Sequence, residues 1–314
     1  MGILFINDPH IADRPPLGRV AGYADQIMAK LEECRELAHE RGCELTIFTG
    51  DLFHTKRPSF VSHALIQRLI ELFREWPGRV LVILGNHDMN ESGLASLPRQ
   101  PIGVLLRAGV LELLEDDVTV KIDGLRVQLS PAHFRTDADL THYSLARQFA
   151  VDVAIKVVHQ MIMPPGTTPP FEHTPAATID TDGMDYCFYG HAHTVHGEYV
   201  LNGCHFVNFG SLGRVARTPD NWERSVQVVV WTPPDRLEVV VLQSALPGEQ
   251  VFLISDELAG RANDDDLKAY ARELTHALVT GSSTSIETLL AEATEGVEDG
   301  VRELVKQYLE GAGL

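Results

Sequence analysis

Five short apolar runs, each followed by residues of metal-ligand type, constrain this 314-residue chain more than any other feature. They lie at residues 2–6, 45–49, 80–84, 151–158 and 184–189. Several are apolar at consecutive positions, as expected of strands covered on both faces. Between the first two runs a helical pattern spans 19–41, with Ile27, Leu31, Cys34 and Ala38 on one face and Gly42 as its stop. A second helical pattern spans 59–76 and ends at Pro77-Gly78. This rhythm implies parallel strands joined by helical crossovers.

The pattern then changes. Segments 118–122 and 125–129 flank Asp123-Gly124, segments 198–201 and 205–209 flank Asn202-Gly203, and segments 226–231 and 237–242 flank Pro233-Pro234-Asp235. These are hairpin signals. The expected fold is α/β, with two packed mixed sheets and helices on their outer faces. Residues 164–182, rich in Pro and Thr, read as a long loop of the kind that often covers a functional site. The expected domains are a catalytic unit, 1–243, and a C-terminal extension, 244–314. The extension reads as one strand at 251–255 and three amphipathic helices at 265–279, 285–293 and 299–309.

Cys34, Cys43, Cys187 and Cys204 match no zinc-knuckle or redox spacing and read as buried free thiols. No signal peptide, lipidation motif or bilayer-length apolar stretch is seen, so a soluble cytoplasmic protein is expected, with no membrane partner. The 44 acidic and 26 basic side chains give a formal charge of −18, which argues against a broad electrostatic grip on nucleic acid.

The chemistry sits at the ends of the runs. In order they are followed by Asp8-Pro9-His10, Gly50-Asp51, Gly85-Asn86-His87-Asp88, His159 and Gly190-His191-Ala192-His193. Ligands of open parallel sheets bind at the carboxyl ends of the strands, so all five clusters are expected on one rim. Asp8 and His10 are two apart, as are His191 and His193, and in extended chain such pairs point the same way. The glycines are expected to let the chain turn sharply as it leaves each strand. Mixed Asp, Asn and His donors without thiolate suit two divalent ions such as manganese, iron, zinc or magnesium. Asp51 is the candidate bridge between them. His87, beside Asp88, is placed to protonate a leaving oxygen, oriented by that carboxylate.

Taken in order, these motifs resemble the calcineurin-like metallophosphoesterase superfamily over about residues 1–243. The resemblance implies a two-sheet αββα sandwich with a short helical C-terminal extension. It implies that Asp8, His10, Asp51 and His193 hold one metal, and that Asp51, Asn86, His159 and His191 hold the other. His87 would be the catalytic histidine and Asp88 its support. Gly50-Asp51-Leu52-Phe53-His54 followed by Arg57-Pro58-Ser59 is similar to SbcD-type DNA nucleases, as is His159-Gln160. That resemblance implies a manganese-dependent exo- or endonuclease of DNA repair and recombination, with attack of a metal-bound hydroxide on phosphorus and His54 helping to place the DNA backbone. The alternatives are a phosphodiesterase or phosphatase of nucleotides and other small esters, and a non-catalytic scaffold. Candidate partners are DNA, an SbcC-like ATPase docked through the C-terminal helices, and a second copy of the chain. SbcD-type nucleases carry a larger DNA-capping domain where about seventy residues remain here. Lys56, Arg57, Arg99, Arg107, Arg135, Arg147, Arg214 and Arg217 are candidate phosphate contacts, and His133, His173 and His196 are expected to be structural or solvent-exposed.

Overall fold

A computed structural model describes residues 1–253 apart from 17, 91, 170 and 171. The three expected tail helices lie outside the described residues. The first sheet contains β1 (Gly2–Ile6), β2 (Cys43–Phe48), β3 (Arg79–Val82), β4 (Glu112–Leu113), β13 (Gln227–Thr232) and β14 (Arg236–Val241), in the order β14-β13-β1-β2-β3-β4. The second contains β5 (Val118–Ile122), β6 (Leu125–Ala132), β7 (Val153–His159), β10 (Tyr186–Gly190), β11 (Val195–Leu201) and β12 (Cys204–Phe209), in the order β11-β12-β10-β7-β6-β5. A small parallel pair, β8 (Ile162–Met163) and β9 (Thr174–Pro175), stands apart. In each sheet the central strands are parallel and antiparallel hairpins supply an edge. The expected hairpin turns form as such: Asp123-Gly124 and Asn202-Gly203 all have positive φ, which suits a two-residue turn between twisted strands.

The sheets pack face to face. Period-two alternation sends Ile3, Phe5, Leu45, Ile47, Ile155, Val157, Phe188 and Trp231 into the interface, where each is buried. Phe5 and Phe188 stack across it with centroids 3.6 Å apart. The opposite residues of β1 and β2, such as Leu4, Ile6 and Phe48, face helices α1 (Tyr23–Glu40), α2 (His63–Arg74) and α3 (Pro101–Arg107). Helix α1 begins later than its apolar pattern because Gly22, in the left-handed region, turns the chain into it. Helix α2 begins after Ser62, whose hydroxyl accepts the Leu65 N–H at 3.0 Å, while Pro58–Phe60 forms a separate 3₁₀ turn. Two short helices, α4 (Pro219–Glu223) and α5 (Gly248–Val251), pack against each other.

The outer face of the second sheet is covered differently. Ala154, Val158, Cys187, Tyr189 and Phe206 pack there against Tyr143, Ala176 and Ile179, which come from 3₁₀ turns and loops. The long loop expected at 164–182 supplies much of this cover, and it includes β9 and a 3₁₀ turn. Its end leads into the amino end of β10, away from the carboxyl-end rim. Of the strand expected at 251–255, the described part is a bridge of Phe252 to Arg19 after α5.

Candidate metal centre

Strands β1, β2 and β3 of one sheet and β7 and β10 of the other deliver their carboxyl ends to one rim. There Asp8, His10, Asp51 and His193 each bring a donor atom to within 4.8 Å of the others. Asp51, His159 and His191 form a second such group. Asp51 belongs to both: its Oδ2 lies 3.5 Å from His10 Nε2 and 3.4 Å from His159 Nε2. A carboxylate so placed belongs to both groups and would join two ions held there. Asn86 follows β3 on the same rim, and its Oδ1 is buried without a hydrogen-bond partner.

The backbone shows what this convergence costs. Seven non-glycine residues have positive φ among the described residues, and four of them are candidate ligands: Asp8, His10, Asp51 and His191. Each such residue costs on the order of 1–3 kcal/mol, a strain that clusters at functional sites. The expected extended geometry of Asp8–His10 and His191–His193 is therefore corrected. Their donors converge because the chain kinks into the left-handed region, not because a strand continues. The role of the glycines also changes. Gly50 does turn the chain, with φ 103, but Gly85 and Gly190 are needed for space. A Cβ on Gly85 would lie 2.0 Å from Asp51 Oδ1, and one on Gly190 would lie 2.9 Å from Asp8 Oδ2.

Do these residues fit divalent ions? Two imidazole nitrogens, His10 Nε2 and His193 Nε2, face each other at 2.9 Å. His159 Nδ1 donates to the Thr49 carbonyl at 2.6 Å, which turns Nε2 into the site, where it is buried and without a hydrogen-bond partner. Buried polar atoms seldom go unpaired, so this convergence of nitrogen and oxygen atoms on a common space fits cations. For three of the rings protonation points the same way. Burial pushes His191 down to about 3, His193 to about 4 and His10 well below its usual value, so these rings stay neutral, as ligands must be. Burial raises Asp8 and Asp88 to about 7, with Asp51 adding to both. Burial would raise Asp51 too, but the facing His159 and His87 hold it well below the carboxylate range. Burial lowers His159, yet Asp51 and Asp8 outweigh it and hold the ring at about 9.

Residues 1–195 match the calcineurin-like phosphoesterase family model. The chain belongs to that family. As a calcineurin-like phosphoesterase it is a metal-dependent hydrolase with a divalent-metal site of His and Asp. Residues 257–314 match the model of the SRI (Set2 Rpb1 interacting) domain. No curated protein matches the chain. Among solved structures it is similar to an archaeal phosphodiesterase, at 15% identity over 77% of this chain and 100% of the other, with a TM-score of 0.40. It is also similar to the protein TT1561 of Thermus thermophilus, at 13% identity over 76% of this chain and 97% of the other, with a TM-score of 0.44.

Around the metal residues, several details of the phosphoesterase differ from the reading of its motifs. His87 is oriented by the His54 carbonyl, which accepts from its Nδ1 at 2.6 Å. Asp88 does not touch it: its carboxylate accepts the N–H groups of Gly85 and Phe53 and so ties two ligand loops together. The His54 ring stacks on His87 and meets His10 edge-on, with centroids 5.5 and 5.6 Å away. It caps no helix. Phe134, which lacks any motif, lays its ring against His191 at 5.4 Å and closes one side of the second group.

Several candidate phosphate contacts are engaged elsewhere. Arg214 is buried and donates to the carbonyls of Asn221 and Leu246. Arg147 pairs with Asp185 beside the amino end of β10, and Arg135 pairs with Asp137. Arg57 lies over the exposed Phe60 ring, and Arg217 over Trp222. His133 accepts the Leu84 N–H, and His196 bonds to the Tyr189 hydroxyl, in keeping with structural roles. All four cysteines are free and buried. Among the described residues no helix is long and apolar enough to cross a membrane.

Proposed function

We propose that this phosphoesterase hydrolyses phosphodiesters of DNA, in the manner of SbcD-type nucleases. Asp8, His10, Asp51 and His193 would hold one ion, and Asp51, Asn86, His159 and His191 the other. Two divalent ions there, manganese by the same resemblance, would lower the pKa of a bound water and neutralise charge on the phosphoryl oxygens. His87 supplies the proton for the leaving oxygen. Its Nδ1 is committed to the His54 carbonyl, so the proton would be delivered from Nε2, in a direction that the His54 backbone fixes. The bridging position of Asp51 carries the two-metal reading. The contact of His54 with both His87 and His10 carries the preference for DNA, because it sets the SbcD-like segment directly against the chemistry.

The charge of −18 favours a second reading, a phosphodiesterase or phosphatase of small esters. Manganese-dependent cleavage of single- and double-stranded DNA, lost in His87→Ala, is the expected result. Hydrolysis of bis-p-nitrophenyl phosphate or nucleotides with no action on DNA selects the small-ester enzyme. Absence of bound metal and of any hydrolysis leaves a scaffold.

The segment beyond residue 253 is read as a partner-docking element, and the match of residues 257–314 to a domain named for an interaction supports this. An SbcC-like ATPase is the partner proposed. Co-purification of the two from a common host, lost on deletion of 257–314, is the expected outcome. The proposed homodimer is tested by the mass of the full chain in solution.

A further inference from the structure

Residues 211–214, the turn that follows β12, make a set of contacts that no motif announces. On one face the turn holds the residues assigned to the first ion. Ser211 N–H donates to the His193 carbonyl at 3.1 Å, Leu212 N–H to the Asn7 carbonyl at 2.7 Å, and Gly213 N–H to the Asp8 carbonyl at 3.1 Å. Gly213 lies so close to the loop that a Cβ there would sit 2.2 Å from the Pro9 carbonyl oxygen. On the other face, four consecutive carbonyls each accept from a side-chain donor. Arg224 donates to Ser211 at 2.8 Å, Lys30 to Leu212, Tyr23 to Gly213 at 3.4 Å and Arg19 to Arg214 at 2.5 Å. The Tyr23 hydroxyl lies still closer to the His10 carbonyl, at 2.9 Å. It therefore lies between the turn and the ligand loop.

This arrangement is costly. Arg19 and Lys30 are 2% and 3% exposed, and no carboxylate pairs with either among the described residues. Burial, with Arg19, Arg214 and Arg224 nearby, pushes the Lys30 amine well below its usual value, and burial lowers Arg19 to about 10. Polar groups so desolvated are costly unless hydrogen-bonded, and both donate to backbone carbonyls of this turn. Asp8 and His10 both occupy the left-handed region, which persists only where the surroundings over-determine it. Among the described residues no hydrogen bond joins the turn directly to Asn86, His159 or His191. The path to them runs through Asp8, whose carboxylate accepts the His191 N–H at 3.0 Å, and through the shared Asp51, whose carbonyl accepts the His10 N–H at 3.0 Å. His159 is fixed instead through its own ring, by Nδ1 on the Thr49 carbonyl at 2.6 Å.

We infer that Tyr23 and Lys30 of α1 are positioning residues for the first ion: through the 211–214 turn and the His10 carbonyl they hold Asp8, His10 and His193 in ligating geometry. They touch neither ion nor substrate. The inference rests on the two-metal reading above.

Manganese titration of the full-length chain by calorimetry tests it. Wild type is expected to bind two ions. Tyr23→Phe and Lys30→Met each keep the shape and remove the donor. Each is expected to weaken one ion by about 10- to 100-fold, the usual effect of losing an outer-shell partner, and to leave the other within about twofold. Lys30→Arg, which keeps a donor, is expected to restore most of the loss. Two backgrounds assign the affected ion. With Asn86→Ala the remaining ion responds to Tyr23→Phe, and with His193→Ala it does not. Equal weakening of both ions, in step with a fall in the melting temperature of the metal-free protein, means a merely structural role and overturns the inference. So does unchanged affinity for both. A wild type that binds fewer than two ions overturns the two-metal reading together with this inference. Two ions bound without hydrolysis of any ester overturns the proposed function alone.

Discussion

On the side of the second ion, His159 is held through its own ring, by a 2.6 Å hydrogen bond from Nδ1 to the Thr49 carbonyl. On the side of the first ion, Asp8 and His10 are held through their backbone carbonyls, by a turn and by a helix from across the fold. The first arrangement is local and stiff. The second transmits the position of α1 and of residues 211–214 into the ligand loop. On the proposed two-metal reading, the ions sharing Asp51 should therefore respond differently to change at a distance, and alike only to change at the bridge.

The largest effect is expected at that bridge. Asp51→Ala should remove both ions and take hydrolysis to background, as read by metal analysis beside a phosphodiesterase assay. Retention of one ion at full affinity would show that the two halves do not share this carboxylate. Next comes His87→Ala, with a loss of about 10²- to 10⁴-fold in kcat and both ions still bound. His54→Ala should cost less, because the carbonyl that orients His87 stays in the backbone. A loss equal to that of His87→Ala would mean that the His54 ring itself does chemistry.

Two glycine substitutions break the halves one at a time. Gly50→Ala would place a Cβ 2.3 Å from His159 Nδ1 at a residue with φ 103, and should weaken the second ion. Gly213→Ala would meet the Pro9 carbonyl at 2.2 Å and should weaken the first. Titration of manganese into each variant separates the two, and loss of the same ion in both would end the comparison.

The smallest effect is in pH dependence. Asp8 keeps its proton up to about pH 7, because burial raises it, and an ion must displace that proton. Affinity for the first ion should therefore rise with pH and level off above about 7. His159, held at about 9 by Asp51 and Asp8 against its burial, carries a proton that the second ion must displace. Its affinity should go on rising to about pH 9. Calorimetry in buffers of different ionisation enthalpy reads these protons directly, and a common plateau for both ions would refute the assignment.

Much of this site was legible in the residues alone. Asp8, Asp51, Asn86, His159 and His191 were each placed at the end of an apolar run, and the structure brings those ends to one rim. The side chains' directions are not legible in the same way. His87 stands next to Asp88 in the chain, yet its partner is the His54 carbonyl, 33 residues away. Arg214 looked like a phosphate contact and is buried among carbonyls. No motif sets Tyr23 or Lys30 apart within the helical pattern, and their partners Gly213 and Leu212 lie 190 and 182 positions further on.

The division has a physical cause. Hydrophobic periodicity and ligand chemistry are local properties of side chains, so the sequence by itself determined the strands, the crossovers and the kinds of donor at their ends. Backbone carbonyls are the same in every residue and leave no mark on a sequence. Which of them a buried tyrosine, lysine or histidine will meet was decided only when the two sheets packed and the loops of their rim closed on one another.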